Sequence, residues 1–384
     1  MSDSRLVVLA LLLLAGCGGP ATEGGGPAEG PAPAPGARFA RAEFSDLPGW
    51  NEDALDDAQG ALRRSCAAIG KKPADAVLGG GEAARPVAAW KTLCAAIAAA
   101  PDGTALRRTL EAETTPYLVR GPQGKTGLFT GYCEAELRGS FLPVAPYLVP
   151  VYGRPVDLAE GMAGGTRSVG RLVRGRPVPY FSRAEIETGA IREAAPVLLW
   201  TDDAVDLHIA QIQGSSRVTL SGGERLRIGF AGSNGLPFKG LGRILLDHGL
   251  LAPGRATMAD IRDWLHAHPD RAPALMRENP RYVFFRLILG EGPIGALGIP
   301  LTPGRSLAVD PAFIPLGAPL WLSTRDPDGR PLTRLMVAQD TGAAIKGAVR
   351  GDVFWGAGPE AFAVAGRMKS PGSYYLLVPK SPAP

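Results

Sequence analysis

Three aspartates near the C-terminus are the residues of this chain best suited to carry chemistry. Asp310, Asp340 and Asp352 each follow or interrupt an apolar segment typical of buried β-structure, and glycines lie close to each of them. Because burying an unpartnered carboxylate is costly, such groups must be hydrogen-bonded, paired or functional. No metal-type cluster of ligands lies nearby in the sequence, so acid catalysis on a carbohydrate is the chemistry that we expect. The alternative interpretation is that these aspartates form turns beside the glycines.

Composition and motif spacing argue against two other classes of function. The chain of 384 residues has 41 basic and 37 acidic side chains, a net charge of +4, and no dense Lys/Arg stripe. Nucleic acid is therefore not an expected partner. The cysteine spacings include no CxxC motif, and the four histidines form no HExxH motif. We therefore predict neither a metal site nor a cofactor.

The N-terminus has the pattern of an export signal. The apolar run from Leu6 to Leu14 is too short to span a bilayer and has the length of a signal-peptide core. The sequence Leu-Ala-Gly-Cys at 14–17 resembles the lipobox of bacterial lipoproteins, which implies cleavage before Cys17 and acylation of that cysteine. We therefore predict a lipoprotein signal peptide over residues 1–17; the alternative is an ordinary signal peptide that is cut nearby.

A tether is predicted to follow the lipid anchor. Residues 18–39 are mostly Gly, Pro and Ala, a composition typical of a disordered segment. The residue after Cys17 is Gly18 rather than Asp, which in such lipoproteins favours the outer membrane. We therefore expect a lipid-anchored protein on the periplasmic face of that membrane. No later apolar segment approaches about 20 residues, so the lipid alone is expected to hold the chain there.

Two helices are predicted in the first part of the folded chain. Apolar residues recur at helical spacing over about 52–69 and again over about 88–99. Cys66 lies in the first helix and Cys94 in the second, and cysteines of an exported protein can form disulfides. We predict a Cys66–Cys94 disulfide that leaves Cys133 free, although the sequence does not establish the distance between the two Cα atoms.

The rest of the chain is predicted to be mainly β. A Ser-Gly-Gly turn at 221–223 is a hairpin signal, and many short strands with frequent Gly and Pro turns are typical of barrels or sandwiches. About 345 residues follow the tether, more than one hydrophobic core usually serves, so two lobes are expected. Strands are predicted at 128–137, 197–200, 207–213, 217–220, 225–230, 282–286 and 374–378, and helices at 240–248 and 258–266.

Eight short motifs follow one another between about residues 127 and 380. They are FTGY at 129–132, YFSRAEI at 180–186, QIQGS at 211–215, FAGSNG at 230–235, NPRYVFF at 279–285, GRSLAVD at 304–310, AQDTGAAIKG at 338–347 and GDVFWG at 351–356. As an ordered set they resemble the membrane-bound lytic murein transglycosylase A family. The C-terminal part also resembles the 3D domain, which is named for three aspartates that match Asp310, Asp340 and Asp352.

The resemblance implies a mainly β fold with two domains. One is a six-stranded double-psi β-barrel formed from both ends of the sequence, here about 40–136 and 279–384, with helices at its N-terminal side. The other is a smaller β-rich domain inserted at 137–278. The glycan strand of peptidoglycan is the implied substrate, and a groove between the domains is the expected place for it.

The resemblance also implies a lytic transglycosylase. Such an enzyme cleaves the β-1,4 bond between N-acetylmuramic acid and N-acetylglucosamine and forms 1,6-anhydromuramic acid ends. Asp352 matches the family's single catalytic acid, and Asp340 and Asp310 match companion aspartates that shape and polarise the site. Substrate contacts are expected from Thr130, Gly131, Tyr132, Gln213, Gly214, Ser215, Asn234 and Lys346.

Alternatives stay open for these contacts and for the function as a whole. Asn234 is also suited to a turn, Tyr132 to core packing and Lys346 to a solvated surface position. A hydrolase of β-1,4 glycans would use Asp340 and Asp352 as its two carboxyl groups. A third alternative is a non-catalytic lipoprotein that binds peptidoglycan, although the presence of all three aspartates argues against it. Protein partners in a cell-wall synthesis complex are not visible in the sequence.

Overall fold

The computed structural model describes residues 36–163 and 166–380. The predicted signal peptide, the lipidation site Cys17 and most of the predicted tether lie outside the described residues. The strands are β1 (Arg38–Arg41), β2 (Val77–Leu78), β3 (Arg85–Pro86), β4 (Thr114–Arg120), β5 (Gly127–Ser140), β6 (Val149–Tyr152), β7 (Ala159–Ala163), β8 (Thr166–Val173), β9 (Arg176–Pro179), β10 (Val197–Thr201), β11 (Ser215–Leu220), β12 (Arg225–Ser233), β13 (Val283–Ile288), β14 (Ser306–Val309), β15 (Pro319–Arg325), β16 (Pro331–Asp340), β17 (Arg350–Ala357) and β18 (Lys369–Pro379). The α-helices are α1 (Asp56–Gly70), α2 (Val87–Ala99), α3 (Gly103–Glu113), α4 (Arg183–Glu187), α5 (Ala204–Gln213), α6 (Leu241–Asp247), α7 (Met258–Ala267), α8 (Ala272–Arg277) and α9 (Pro359–Arg367).

Most strands belong to one large sheet. Its main order is β1-β4-β18-β15-β16-β14-β17-β5-β11-β12-β13, with β10 and β6 attached beside β5. Strand β18 pairs with β5 as well as with β15, so β5, β18, β15, β16, β14 and β17 form a closed cycle of hydrogen-bonded pairs. The prediction of a mainly β fold with some helices is confirmed.

The long strand β5 connects two halves of this sheet. Its first half runs parallel to β17, with Thr130 opposite Asp352, and its second half runs parallel to β11, with Ala135 opposite Ser216. Each half has its own hydrophobic core: one lies between α1–α3 and the closed cycle of strands, and the other lies under β10–β13 and α5. Residues near the middle of β5 therefore lie at the junction of the two halves.

The N-terminal helices pack on the first core. In α1 the buried positions Ala58, Ala61, Leu62, Ser65 and Ile69 follow helical spacing, as the sequence predicts. A disulfide joins Cys66 in α1 to Cys94 in α2, with their Cα atoms 5.3 Å apart, whereas the thiol of Cys133 is free and buried. No helix in the described part of the chain is both long enough and apolar enough to cross a bilayer.

The strand predicted at 207–213 is wrong, because this segment lies in α5. The side chain of Asp203 caps the helix by accepting hydrogen bonds from the backbone N–H groups of Val205 and Asp206, at 2.8 and 2.9 Å. Gly214 ends the helix in the left-handed conformation, with φ of 81°. Residues on nearly every side of α5 are buried, so its apolar pattern has no clear helical period. The predicted hairpin is present, since β11 and β12 pair antiparallel across the turn at 221–223.

The folded part of the chain begins slightly earlier than the sequence predicts. Arg38 and Phe39, which we assigned to the tether, belong to β1 and pair with β4. The phenyl ring of Phe39 is only 5% exposed and belongs to the first hydrophobic core. One buried aromatic side chain within a Gly- and Pro-rich stretch was therefore the signal that the tether had ended.

Candidate active site

A cavity of about 290 Å³ lies at the junction of the two halves of the sheet. Residues 130–132 of β5, Arg350 and Asp352 of β17, and the segment 340–345 after β16 line one side. Residues 211–213 of α5 also line it, together with side chains from the segment before β13. The geometry brings two of the three predicted aspartates, Asp340 and Asp352, into one polar cavity.

The carboxyl group of Asp352 opens on the cavity and is hydrogen-bonded to the side chain of Thr130. The parallel pairing of β17 with β5 sets Thr130 beside it, and the Thr130 hydroxyl donates to Oδ1 of Asp352 at 2.6 Å. Burial raises the pKa of Asp352 to about 6, while the hydrogen bond from Thr130 and the charge of Arg350 lower it and the charge of Asp340 raises it. A carboxyl group with this pKa is protonated in about a tenth of the molecules at pH 7, far more than an ordinary aspartate.

The carboxylate of Asp340, at the end of β16, is held by three donors. The Tyr132 hydroxyl donates to Oδ2 at 2.8 Å, and the backbone N–H groups of Ala296 and Thr341 both donate to Oδ1 at 2.9 Å. Burial raises the pKa of Asp340, and these three hydrogen bonds oppose the rise. Burial also raises the pKa of Tyr132 well above its ordinary value, so its hydroxyl stays a donor.

The third aspartate, Asp310, lies outside the cavity. Its side chain accepts hydrogen bonds from the backbone N–H groups of Gly347, at 2.8 Å, and Ala312, at 3.2 Å, and the residue is only 6% exposed. The segment that it holds through Gly347 is the same segment that lines the cavity at 341–345. Asp310 therefore supports the shape of the cavity without entering it.

Four of the eight residues expected to contact substrate line the cavity: Thr130, Gly131, Tyr132 and Gln213. The Tyr132 ring packs against Phe354, and its hydroxyl is bound to Asp340. A side chain at Gly131 would clash, since a Cβ there would lie 2.7 Å from the Trp355 ring. The side-chain oxygen of Gln213 accepts the N–H of Cys133 at 3.1 Å.

The other four lie elsewhere. Gly214 and Ser215 follow the end of α5 and do not line the cavity, and Lys346 is exposed outside it. Asn234 is fully buried; its amide donates to the carbonyls of Phe181 and Pro280, at 2.9 and 2.8 Å, and accepts from the N–H of Tyr282 at 2.9 Å. It holds together three segments of the chain, so the structure gives no place for a sugar contact there.

Several polar residues that line the cavity were not predicted from the sequence, and Arg350, Arg183 and Gln211 are among them. Arg350 precedes Asp352 by two positions, and the alternation of side chains in a strand was a signal that both lie on one face. Across the cavity, Arg183 is 3% exposed and donates to the side-chain oxygen of Gln211 at 2.7 Å. Arg183 and Gln211 belong to motifs that carry the family resemblance, so their positions in those motifs were the available signal.

One free thiol and one group of possible metal ligands lie outside the set of predicted site residues. Burial raises the pKa of Cys133 to about 12, so its thiol is a poor nucleophile. Possible metal ligands of Asp203, Asp206 and His266 lie within 4.8 Å of one another. His266 is already 2.8 Å from Asp203, and Arg262 contacts both oxygens of Asp206, at 2.6 and 2.8 Å. The sequence prediction that the chain needs no metal stays a prediction.

Comparisons with known proteins agree on one family. The MltA specific insert domain matches residues 128–286, and the 3D domain matches residues 305–378. Membrane-bound lytic murein transglycosylase A of Vibrio cholerae is 30% identical over 258 residues, which are 65% of this chain and 65% of the relative. The chain thus matches just under two thirds of the length of this curated relative.

Solved structures extend the similarity over almost the whole chain. MltA from Neisseria gonorrhoeae is 31% identical, with a TM-score of 0.76 over 93% of this chain and 98% of that chain. E. coli MltA with bound chitohexaose is 23% identical, with a TM-score of 0.61 over 88% of this chain and 89% of that chain, which shows a shared fold.

Proposed function

Because the chain belongs to the membrane-bound lytic murein transglycosylase A family, we propose that it is a lytic transglycosylase of peptidoglycan. It cleaves the β-1,4 bond between N-acetylmuramic acid and N-acetylglucosamine and leaves 1,6-anhydromuramic acid ends. The observation that carries this proposal is the carboxyl group of Asp352, which opens on a cavity and has a pKa of about 6. E. coli MltA was solved with bound chitohexaose, a β-linked glycan, and this supports a glycan as the substrate.

In this proposal Asp352 acts twice. Its protonated carboxyl group donates a proton to the glycosidic oxygen, the bond from that oxygen to C1 of the muramoyl residue breaks, and positive charge develops at C1. The resulting carboxylate then takes the proton of the C6 hydroxyl group of the same residue, whose oxygen attacks C1. Asp352 ends protonated again, and no water is consumed. An attacking group within the substrate gains effective molarity over a separate nucleophile.

The environment of Asp340 favours this single-acid reaction over hydrolysis. A retaining or inverting hydrolase needs a second carboxylate as nucleophile or as the base that activates water. Both oxygens of Asp340 are occupied, by the hydroxyl of Tyr132 and by two backbone N–H groups. We assign to Asp340 the role of a fixed negative charge that raises the pKa of Asp352 and stabilises positive charge in the cavity. Asp310 is assigned the role of holding the cavity segment, and Gln213 that of a substrate contact.

The finer description of the fold is part of the same proposal. We assign a double-psi β-barrel to residues 40–136 and 279–384 and an inserted β-rich domain to residues 137–278. The closed cycle of β5, β18, β15, β16, β14 and β17 supports the barrel, and the match of the insert-domain model to 128–286 supports the insertion.

We also propose that the protein is lipid-anchored through Cys17 on the periplasmic face of the outer membrane. The lipobox pattern at 14–17 and the name of the Vibrio cholerae relative, which describes a membrane-bound enzyme, support the anchor. Labelled palmitate incorporated into the wild-type protein, and not into a Cys17→Ala variant, is the expected result. Equal labelling of both proteins would contradict the assignment.

The test of activity is product analysis by mass spectrometry. The full-length protein and an Asp352→Asn variant are purified in detergent and incubated with isolated peptidoglycan sacculi. Products with anhydro ends, one water lighter than hydrolysis products and absent with the variant, are expected. Reducing ends would identify a hydrolase instead, and no products from a folded wild-type protein would favour the non-catalytic alternative. Thermal unfolding of both proteins serves as the control for folding.

A further inference from the structure

A chain of two hydrogen bonds ends on the proposed acid. Nη2 of Arg350 donates to Oγ1 of Thr130 at 2.9 Å, and that hydroxyl donates to Oδ1 of Asp352 at 2.6 Å. A threonine hydroxyl has one hydrogen and two lone pairs. Since the guanidinium can only donate, Thr130 accepts on one side and its single hydrogen is available for the other side. Arg350 therefore fixes the direction of both hydrogen bonds: Arg350 donates to Thr130, and Thr130 donates to Asp352.

In the described part of the chain, the hydrogen bonds of Arg350 go to backbone carbonyls and to the Thr130 hydroxyl group rather than to a carboxylate. Its guanidinium donates to the carbonyls of Leu128, at 3.2 Å, and Gly351, besides Thr130. Among residues 36–163 and 166–380 it forms no salt bridge with a carboxylate. Burial lowers the pKa of Arg350 and the charge of Asp352 raises it. The guanidinium of Arg350 thus binds two backbone carbonyls and also the hydroxyl group that contacts Asp352.

On the proposed function of Asp352 as the acid, we propose that Arg350 is a positioning residue that determines which oxygen of Asp352 carries the catalytic proton. With the Thr130 hydrogen directed at Oδ1, that oxygen is an acceptor and the acid proton resides on Oδ2. Without Arg350, the Thr130 hydroxyl can rotate and accept a hydrogen bond from a proton on Oδ1. In that state the proton points at Thr130 and is withheld from the substrate.

The same arrangement stabilises the carboxylate that forms when the proton leaves. The hydrogen bond from Thr130 then becomes one to a charged acceptor, which is shorter and stronger than a neutral one. The charge of Arg350 also favours the ionised form and keeps the pKa of Asp352 lower than burial alone would make it. Arg350 thus opposes the effect of Asp340 on the same carboxyl group.

Few other titratable groups face Asp352. Strand β5 contributes Tyr132 and Cys133, whose pKa values are raised by burial and which stay neutral up to alkaline pH. Strand β14 contains no titratable side chain between Ser306 and Val309, and the acidic and basic residues of α9 are exposed. Arg183 and Arg281 line the same cavity, but among the described residues the charges that shift the pKa of Asp352 are those of Asp340 and Arg350.

The experiment compares Arg350→Met, Thr130→Val, the double variant and Thr130→Ser in the full-length protein. Release of anhydro ends from solubilised glycan strands gives kcat and KM between pH 4 and pH 8. We expect Arg350→Met and Thr130→Val each to lower kcat about tenfold, since general acid catalysis depends on proton placement. Both also shift the alkaline limb of the pH profile upward by about one pH unit, because each removes an interaction that favours the carboxylate. Thr130→Ser, which keeps the hydroxyl, is expected to resemble the wild-type protein.

The double variant gives the decisive outcome. Because Arg350 places the proton through Thr130, kcat of the double variant is expected to be no lower than kcat of Thr130→Val alone, a non-additive result. The direct effect of the Arg350 charge on the pKa of Asp352 appears in the alkaline limb and not in this comparison of kcat. Additive losses would overturn the proposal. So would a higher KM for Arg350→Met with an unchanged alkaline limb, because that result would assign Arg350 to an anionic group of the substrate. Arg325→Met, an exposed site outside the cavity, is the matched control, and thermal unfolding of each variant shows that it is folded.

The test also separates this inference from the proposed function. If the wild-type protein releases reducing ends, the transglycosylase proposal fails, and the kcat values and pH profiles are then measured from the release of reducing ends, which still reports how Arg350 and Thr130 act on the acid. If anhydro ends are released and the double variant shows additive losses, the inference about Arg350 alone fails.

Discussion

A carboxyl group lies beside each half of β5, half-buried at Asp352 and buried at Glu134, and the two differ in their hydrogen-bond partners. In the first half, Thr130 donates a single hydrogen bond to Asp352. In the second half, Glu134 is 2% exposed and is held by two arginines, with Nε of Arg217 and Nε of Arg227 both 2.9 Å from its oxygens. One strand thus lies beside an acid that accepts a hydrogen bond from a neutral hydroxyl group, and itself carries an acid that is paired with two arginines.

The difference shows that burial alone does not make a catalytic acid. Burial raises the pKa of both groups, but the charges of Arg227 and Arg217 oppose that rise at Glu134. In the described chain Asp352 has no cation within salt-bridge distance, and Arg350 acts on it mainly through a neutral hydroxyl group. The counter-ion is one hydrogen bond removed from the acid, which leaves the carboxyl group able to hold a proton near neutral pH.

The largest effect is expected from removing the acid itself. Asp352→Asn should lower the release of anhydro ends by about 10²–10⁴-fold, the usual contribution of general acid–base catalysis. The matched change in the other half, Glu134→Gln, should leave this activity within about threefold, because Glu134 makes structural contacts only. Product release from sacculi measures both variants. Equal losses in the two variants would mean that Glu134 contributes to the reaction as much as Asp352 does.

The next effect is the pH dependence of the wild-type protein. Asp352 must be protonated in the free enzyme to donate its proton, and its pKa is about 6. Activity should therefore be lost as pH rises through about 6, with kcat/KM falling about tenfold for each further pH unit. The profile is measured with solubilised glycan strands at constant ionic strength. A limb that begins near pH 4 would mean that an ordinary aspartate, without the effect of burial, controls the reaction.

Stability should change in opposite directions in the two halves. Asp352 has a pKa of about 6 in the folded protein against an ordinary value of 3.8, so the folded state holds its proton over a range in which the unfolded chain has lost it. The contribution of this residue to stability therefore falls as pH rises from about 4 to about 6. At pH 8 both states are ionised, and the buried charge costs up to about 3 kcal/mol.

Urea unfolding at two pH values tests this expectation. Asp352→Asn should raise the free energy of unfolding at pH 8 by up to about 3 kcal/mol and change it little at pH 4. Burial raises the pKa of Glu134 as well, but Glu134→Gln should lower the free energy of unfolding at pH 8 by about 1–3 kcal/mol, because the loss of a charged acceptor for two arginines outweighs the relief of that burial. If Asp352→Asn were destabilising at pH 8, the carboxylate would be a structural group like Glu134.

The secondary structure could be predicted from the sequence where one face of an element is buried. The prediction was wrong for an element that is buried on nearly every side. The stripe of α1 and the turn between β11 and β12 carried clear signals, whereas α5 is buried on nearly every side and was taken for a strand. Its N-cap, Asp203, was the overlooked signal.

At the candidate site, residue type was enough to identify the acids. It did not show which of the other polar side chains point into the cavity. Asp340 and Asp352 stood out as carboxylates in apolar segments, and both line the cavity. Asn234 has a type suited to sugars, yet all of its hydrogen bonds go to the backbone of neighbouring segments. Arg350 was missed because its importance depends on Thr130, a residue 220 positions away in the chain. Such long-range juxtaposition depends on strand pairing, which local patterns do not specify.

The smallest effect is expected at Asp310, because this residue holds the segment that lines the cavity and takes no part in the reaction itself. Asp310→Asn keeps an oxygen that can accept the N–H of Gly347, so activity should fall by less than about threefold. Asp310→Ala leaves that N–H without its acceptor, loosens the segment lining the cavity and should lower kcat about tenfold while costing about 1–3 kcal/mol of stability. In both variants the alkaline limb of the pH profile should stay near pH 6, because Asp310 lies outside the cavity and is not among the groups that shift the pKa of Asp352. A displaced limb would mean that Asp310 acts on the acid electrostatically, and its assignment as a support would then be wrong.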